Sequence, residues 1–385
     1  MFSETSRLRD VVVHSPGFEV MWGLPFGSVN DPLVSPDPIF PSIVTEHRRF
    51  VGLLRRLDVK VRELRDLAAT DGGWALRRPL SGPLGMSLRW QGHFYRGAPL
   101  RWAMFTRDPA TVVGHYIILH AFMNEARRNE STLFRRIVQS RMIGGFGSDC
   151  AIDMGAAGLF SQGGDLLIAR SDLLVMGVHN LTQRKAAIHL AKVLEMRVAT
   201  VDLPDSGIER GNLNLFNDLN TVLLHLDTMI TKVDEDTFFT VPFLLEQDHA
   251  RFVSKISPWS SYQQSRRRID LGAIGGVQVI SPRGSVRKLR TKLVDFLLQE
   301  GFHVLFSVQR GEPARDSLFS ALTELRTQSC NLLAVSPRKV IAYGHNTTAI
   351  ASLRRAHVDV LAIDGREMSR ARGGPHCLVM PLSRG

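Results

Sequence analysis

The chain has 385 residues, 44% apolar and 22% charged, enough to bury a core as one large domain or two ordinary ones and unlike a disordered or fibrous protein. Its net charge of +11 points to nucleic acid only through Arg266-Arg267-Arg268 and Arg287-Lys288-Leu289-Arg290; the cations are spread along the chain without interleaved aromatics, which fits a solvated basic surface attracting anionic or zwitterionic small molecules. No apolar run is long enough to span a bilayer, no signal-peptide pattern is visible, and three scattered cysteines make no disulfide framework, so a cytoplasmic setting is expected.

Cut at its turns, the chain repeats a unit of strand, helix and strand. Residues 11–13, a helix over 46–57 and a strand at 59–61 make the first copy. Residues 71–101, rich in Gly, Pro, Arg and Trp without sustained periodicity, read as a long loop or lid. Phe105-Thr106-Arg107-Asp108-Pro109 sets a carboxylate at a turn closing a short strand. Ala126-Arg127-Arg128-Asn129-Glu130 reads either as the exposed start of a helix or as a clamp for a carboxylate, and 144–164 is a second loop. A hairpin of 165–168 and 173–176, a helix over 183–194 and a strand at 198–201 form a clear copy. Residues 221–228 alternate as a strand that puts His225 and Asp227 on one face, and 221–241 supplies a strand pair. Strand 277–280, a helix over 285–299 and strand 303–306 follow. Then 331–335 and 340–343 form a hairpin, 347–356 a helix, 358–363 a strand and 378–381 a last short strand. This repetition fits an array closed around an axis or a single α/β sheet; the irregular period leaves both open.

Cys377 ends the run Arg372-Gly373-Gly374-Pro375-His376-Cys377. The flanking cations favour thiolate, the nucleophilic form, and the glycine pair lets the backbone approach a ligand. His376 reads as a neighbour that contributes to the local field, Cys330 as a buried structural thiol and Cys150 as a loop thiol. A nucleophile needs a base and groups that hold an electrophile. His225 with Asp227 offers a general base and a cation anchor, and Gln162-Gly163-Gly164-Asp165 offers polar side chains around a flexible backbone. Taken singly, each pattern is also an ordinary surface or core arrangement. No Cys/His cluster has ligand spacing and no glycine-rich loop sits between strand and helix for a nucleotide, so no metal or cofactor is expected.

Together these segments resemble one family. Phe105-Thr106-Arg107-Asp108, Ala126-Arg127-Arg128-Asn129-Glu130, Gly163-Gly164-Asp165, His225-Leu226-Asp227-Thr228, Asn331-Leu332-Leu333-Ala334 and the Cys377 motif occur in the order found in arginine deiminases. Those enzymes belong to the wider guanidine-modifying, or pentein, superfamily that includes amidinotransferases. The likeness runs from about Leu8 to Arg384. It implies a single domain with a five-bladed α/β propeller fold of pseudo-fivefold symmetry. It also implies a role for each matched residue: Cys377 as nucleophile on the guanidinium carbon, and His225 as acid and then base. Asp108 and Asp227 would grip the guanidinium nitrogens, and Arg127 and Arg372 would bind an amino acid's carboxylate.

The chain departs from that pattern in places. Gln162 stands where the family has a guanidinium-contacting glutamate, Leu181 where a third carboxylate-binding arginine is expected, and Trp102 where an asparagine contacts substrate. The helical insertion of bacterial arginine deiminases is missing between the first module and Phe105. A guanidino substrate other than arginine is therefore one reading. The expected reaction is hydrolysis of a guanidine to a urea and ammonia; the alternative is amidino transfer to an amine acceptor, and a third reading is a non-catalytic guanidine-binding relative. The expected partner is a small-molecule guanidino substrate, with an amine acceptor in the transferase reading. Neither nucleic acid nor membrane is expected, and a homo-oligomer is compatible with the sequence.

Overall fold

The computed structural model describes residues 1–17, 40–68, 86–90, 93–97, 100, 102–124, 127–140, 143, 145–204, 224–246, 274–308, 320 and 323–385. The chain forms two compact units. The first holds Met1, Leu8–Gly163 and Cys377–Gly385; the second holds Phe2–Arg7 and Gly164–His376.

In the first unit, strand Leu8–Val13 is the middle of a three-stranded sheet. Val11, Val12 and Val13 are all 0% exposed, as expected for a strand covered on both faces. It pairs antiparallel with Met380–Arg384 and parallel with Lys60–Glu63. The parallel partner requires a crossover, supplied by helix Phe40–Arg56, whose Ile43, Phe50 and Leu54 are fully buried at helical spacing. A second sheet joins the hairpin Ala110–Val113 and Tyr116–Leu119 to Ala151–Asp153, parallel to the latter strand and reached through helix Arg128–Gln139. Val12, Val112, Ile117, Phe134, Ile137 and Met380 lie in a common core. The stretch expected to be a loop contains a hairpin, Met86–Trp90 against His93–Gly97. Trp90, Phe94 and Tyr95 favour extended backbone, a short signal hidden by flanking Gly and Pro. Other residues of that expected lid lie outside the described ones.

In the second unit, Leu166–Arg170 and Leu173–Val178 form a hairpin, helix Arg184–Val193 follows, and Arg197–Asp202 runs parallel to the second hairpin strand. Gly276–Ile280 and Val286–Lys292 extend this sheet to five strands. Ile230–Asp234 and Thr237–Thr240 pair antiparallel, and His303–Phe306 lies parallel to the latter. Leu333–Ser336, Lys339–Tyr343, helix Thr347–Arg355 and Asp359–Ile363 repeat the scheme. Leu167, Val175, Phe239, Leu293, Ala342 and Leu353 belong to one core.

The same pairing, an antiparallel pair followed by a helix and a strand parallel to its second member, thus occurs five times among the described residues. The irregular period has two physical causes. The first copy takes its antiparallel partner from the other end of the chain. The fourth is interrupted by Gly276–Ile280 and Val286–Lys292, which join the sheet of the third.

Further expected elements differ, beginning with the loop over 144–164, which contains strand Ala151–Asp153. The helix over 285–299 is a strand, Val286–Lys292, then a short helix, Leu293–Gln299. Alternation of Leu289 against Lys288 and Arg290 suits a sheet edge, where only one face meets the core. Residues 221–223 lie outside the described ones, and Leu226–Thr228 is a 3-10 turn, so the same-face argument for His225 and Asp227 does not hold. No helix among the described residues is long and apolar enough to cross a membrane.

Candidate active site

In the first unit, the chain turns through Phe105–Pro109 before entering strand Ala110–Val113, and this turn is a backbone knot. Thr106 Oγ1 donates to the carbonyls of Val12 and Leu378, both at 3.0 Å. The Arg107 N–H donates to the Cys377 carbonyl at 3.2 Å, and the Gly163 N–H to the Asp108 carbonyl at 2.9 Å. A Cβ on residue 163 would sit 2.0 Å from the Arg107 carbonyl oxygen, so only glycine fits. Cys377 and Asp108, 4% and 2% exposed, therefore hang from one set of backbone bonds. Cys377 lies in a turn ahead of the final strand, which begins at Met380 rather than at 378.

Arg127 occupies the centre of a buried polar cluster. Its Nη1 donates to Asp108 Oδ2 at 2.8 Å and to Gln162 Oε1 at 3.4 Å. Nε and Nη2 both donate to Glu130 Oε2, at 3.1 and 2.8 Å. Phe122 lies beneath the guanidinium at 4.3 Å and the Trp102 ring at 5.8 Å. Glu130 Oε1 also accepts the Trp102 N–H at 3.1 Å. Burial opposes the Arg127 charge, but Glu130 and Asp108 outweigh it and push the guanidinium pKa further up. Four of the expected residues, Trp102, Asp108, Arg127 and Gln162, are thus brought together. Glu130 was missed, although its place three residues after Arg127 is the helical spacing for a pair.

The second unit carries a different network. Asp165, fully buried, accepts from His179 Nε2 at 2.9 Å, from Thr182 Oγ1 at 2.5 Å and from the Leu226 N–H at 3.1 Å. The Leu181 N–H points at His179 Nδ1 at 3.3 Å. Burial would raise the Asp165 pKa, but His179, His225 and Thr182 hold it below the usual carboxylate range. These bonds make Asp165 an anchor for the turn after His225 rather than an open contact for substrate. The His179 and His225 rings lie 6.5 Å apart. His225 is 5% exposed and has φ 87°, ψ 142°, a region that L-residues rarely adopt.

Asp227 is 0% exposed, and its Oδ2 accepts from His376 Nδ1 at 2.8 Å. His376 Nε2 faces Glu4 Oε2 at 3.7 Å. His376 is therefore a buried partner of Asp227, not a peripheral neighbour. Asn331 Nδ2 donates to the Asp227 carbonyl at 3.0 Å, and Asn331 O accepts the His376 N–H at 3.4 Å. A Cβ on residue 374 would come within 2.5 Å of the Asn331 side chain. That glycine makes room for the protein's own asparagine, not for a ligand. Arg372 follows helix Arg366–Arg370, half-buried in the left-handed region at φ 70°. Leu181 is buried at 2% exposure. His179, His376 and Glu4 carry no spacing signal; only the fold gathers them.

Cys330 is fully buried, and burial pushes its thiol pKa up, as suits a structural thiol. Cys150 is half-buried with Sγ 3.7 Å from Asp149 Oδ2. Among the described residues no group of three or more His, Cys, Asp or Glu could hold a metal ion.

A sequence profile described as arginine deiminase matches residues 91–384. The arginine deiminase of Mycoplasma capricolum subsp. capricolum is 24% identical over all of this chain and 96% of its own length. That of Listeria monocytogenes serotype 4a is 27% identical over 74% of this chain but only 62% of its own. Among solved structures, AgrE in complex with L-arginine resembles 98% of this chain with 40% of its own length, at TM-score 0.57 and 14% identity. Dimethylarginine dimethylaminohydrolase matches 97% of this chain and 99% of its own, at TM-score 0.55 and 13% identity. The N-terminal domain of ArgZ, an arginine dihydrolase from Cyanobacteria, matches 97% and 98% at TM-score 0.57 and 13% identity. These neighbours share its mixed α/β fold, and since the profile covers well over half of the sequence, the chain belongs to the arginine deiminase family.

Proposed function

We propose that the protein hydrolyses a guanidino compound to the corresponding urea and ammonia through an amidino adduct on Cys377. The Cys377 thiolate adds to the guanidinium carbon and ammonia leaves with a proton from His225. His225 then takes a proton from water, which adds to the same carbon, and collapse expels the thiolate and releases the urea. Asp108 and Asp227 pair with the guanidinium nitrogens, so that attack on a delocalised, poor electrophile is oriented. The observation that carries this reading is the burial of Cys377, His225, Asp108 and Asp227, each at 5% exposure or less, within a family match that includes all four. The N-terminal domain of ArgZ has been solved covalently bound to a reaction intermediate, which supports a covalent route.

The family match crosses both compact units, which supports reading the chain as one catalytic domain. Five repeats of one pairing scheme support a five-bladed propeller, and the hairpin of Met86–Trp90 and His93–Gly97 would form part of a lid. We place the protein in the cytoplasm. Arg127 is held by Asp108 and Glu130, Leu181 offers no charge and Trp102 offers an indole, which together favour a guanidine whose carboxylate, if any, is read mainly by Arg372.

The test is intact mass after quenching with a panel of guanidines, with and without amine acceptors. A Cys377-dependent mass increase and ammonia release without an acceptor are expected, and both vanish in Cys377→Ala. Product that forms only when an acceptor amine is present would replace hydrolysis by amidino transfer. Ligand binding with no adduct on any guanidine would leave a non-catalytic binder.

A further inference from the structure

The chemistry above leaves unused a fully buried tyrosine of the second unit, Tyr343, the last residue of strand Lys339–Tyr343. Phenylalanine would fill the same space, so the hydroxyl group needs a reason of its own. It donates to the Gly373 carbonyl at 2.8 Å, away from solvent. We propose that Tyr343 is a positioning residue whose hydroxyl holds the Arg372–Gly373 backbone and so aims the Arg372 guanidinium at the carboxylate of a substrate. This role rests on the reading above in which Arg372 binds such a carboxylate.

Three observations converge. The first is conformation. Arg372 has φ 70°, a left-handed setting in which the Cβ of an L-residue crowds the backbone, although the next two residues are glycine. Such a setting persists only where the surroundings over-determine it, and it clusters at ligand clamps. Helix Arg366–Arg370 holds the turn on one side. The Arg372 N–H donates to the Ser369 carbonyl at 2.9 Å and the Gly373 N–H to the Met368 carbonyl at 3.5 Å. Tyr343 holds it on the other, through the Gly373 carbonyl.

The second observation is packing. A Cβ on residue 365 would sit 2.1 Å from two carbons of the Tyr343 ring, so the ring lies directly on that glycine. Gly365 precedes the helix and Gly373 follows it. One side chain therefore grips both ends of the segment that presents Arg372, with its ring at the start and its hydroxyl at the finish. The third is independence. The His376 N–H donates to the Asn331 carbonyl at 3.4 Å, and His376 Nδ1 lies 2.8 Å from Asp227 Oδ2. The end next to Cys377 has its own anchors, so loss of the Tyr343 hydroxyl loosens only the Arg372 end.

The test uses the whole chain as Cys377→Ala, in which ligands bind without turnover, and isothermal titration with arginine, 4-guanidinobutyrate and butylguanidine. At least one of the two acids is expected to bind more tightly than butylguanidine. Adding Tyr343→Phe should weaken binding of that acid about tenfold, as the fraction of chains with Arg372 in place falls to about one tenth. Butylguanidine should bind as before, with an unchanged circular dichroism spectrum. Once Arg372→Ala is present, Tyr343→Phe should have no further effect on the acid. The proposal is overturned if neither acid binds more tightly than butylguanidine, or if Tyr343→Phe leaves the acid's affinity unchanged. It is equally overturned if butylguanidine weakens as much as the acid, or if the effect adds in full to that of Arg372→Ala. Selective weakening of the acid in a protein whose intact Cys377 turns over no guanidine would retire the hydrolytic reading and leave the role of Tyr343 standing.

Discussion

Arg127 was expected to read a substrate's carboxylate, and the geometry shows what it already holds. Three of its nitrogens are bound within the protein to Asp108, Gln162 and Glu130. Removing one partner of a buried ion pair costs about 3–5 kcal/mol because the other charge remains unpaired. Glu130→Ala should therefore lower the unfolding free energy by an amount in that range, read from urea denaturation; a loss below 1 kcal/mol (about the value of an exposed pair) would show that Glu130 is not essential to the cluster. His225 stores backbone strain at φ 87°. The Cβ is the source of that strain, so His225→Gly should exceed His225→Ala in stability by about 1–2 kcal/mol, the reverse of the usual order, while both lose turnover. Equal melting of the two would refute it. At this scale the sequence made residue types legible, because thiol, imidazole and carboxylates each occur in a short recognisable run. It did not reveal partners. His376 and Asp227 lie far apart in the chain, and no local pattern encodes that this imidazole meets that buried carboxylate.

Elements were legible where their periodicity reached both ends. The hairpin of Leu166–Arg170 and Leu173–Val178 and the helix Arg184–Val193 match expectation within a few residues. Strand Val286–Lys292 was misread as helix because its two apolar side chains, Val286 and Leu289, stand three residues apart among four cations and a threonine, a spacing that suits a helix. This strand ends its sheet, and Arg287 and Lys288 are exposed on it. Cations on a sheet edge oppose pairing with another chain. Arg287→Thr with Lys288→Thr is expected to promote concentration-dependent association in sedimentation velocity. A variant that remains as dispersed as the parent would assign those charges another role.

For the whole molecule, a buried histidine sets a pH dependence of stability. His47, 1% exposed in helix Phe40–Arg56, has no hydrogen-bond partner for either ring nitrogen among the described residues. Burial lowers its pKa to about 4, against the pull of Glu63 and with some help from His14. The unfolded chain takes up this proton below about 6.5, the folded one only below about 4. Stability from this group is complete above 6.5 and is lost as pH falls through that window, by roughly 3 kcal/mol in all. His47→Phe should flatten the curve of unfolding free energy between those values; an unchanged slope would rule His47 out as its source. Most of the repeated pairings were legible in the sequence as recurring strands and helices, but the copy of Ala110–Val113, Tyr116–Leu119 and Ala151–Asp153 was not, nor was the grouping of the fourth. Splitting of one copy between the chain ends and interruption of another are facts of long-range pairing.

That split has a consequence for synthesis on the ribosome. Strand Leu8–Val13 is synthesised long before its antiparallel partner Met380–Arg384. Until then the early strand, with three adjacent valines meant for the interior, presents an open edge, the kind of surface that recruits other nascent chains. Cys377 arrives just ahead of that closing strand, so the same segment completes the sheet and supplies the thiol. A chain cut before Met380 should therefore keep the edge of strand Leu8–Val13 open.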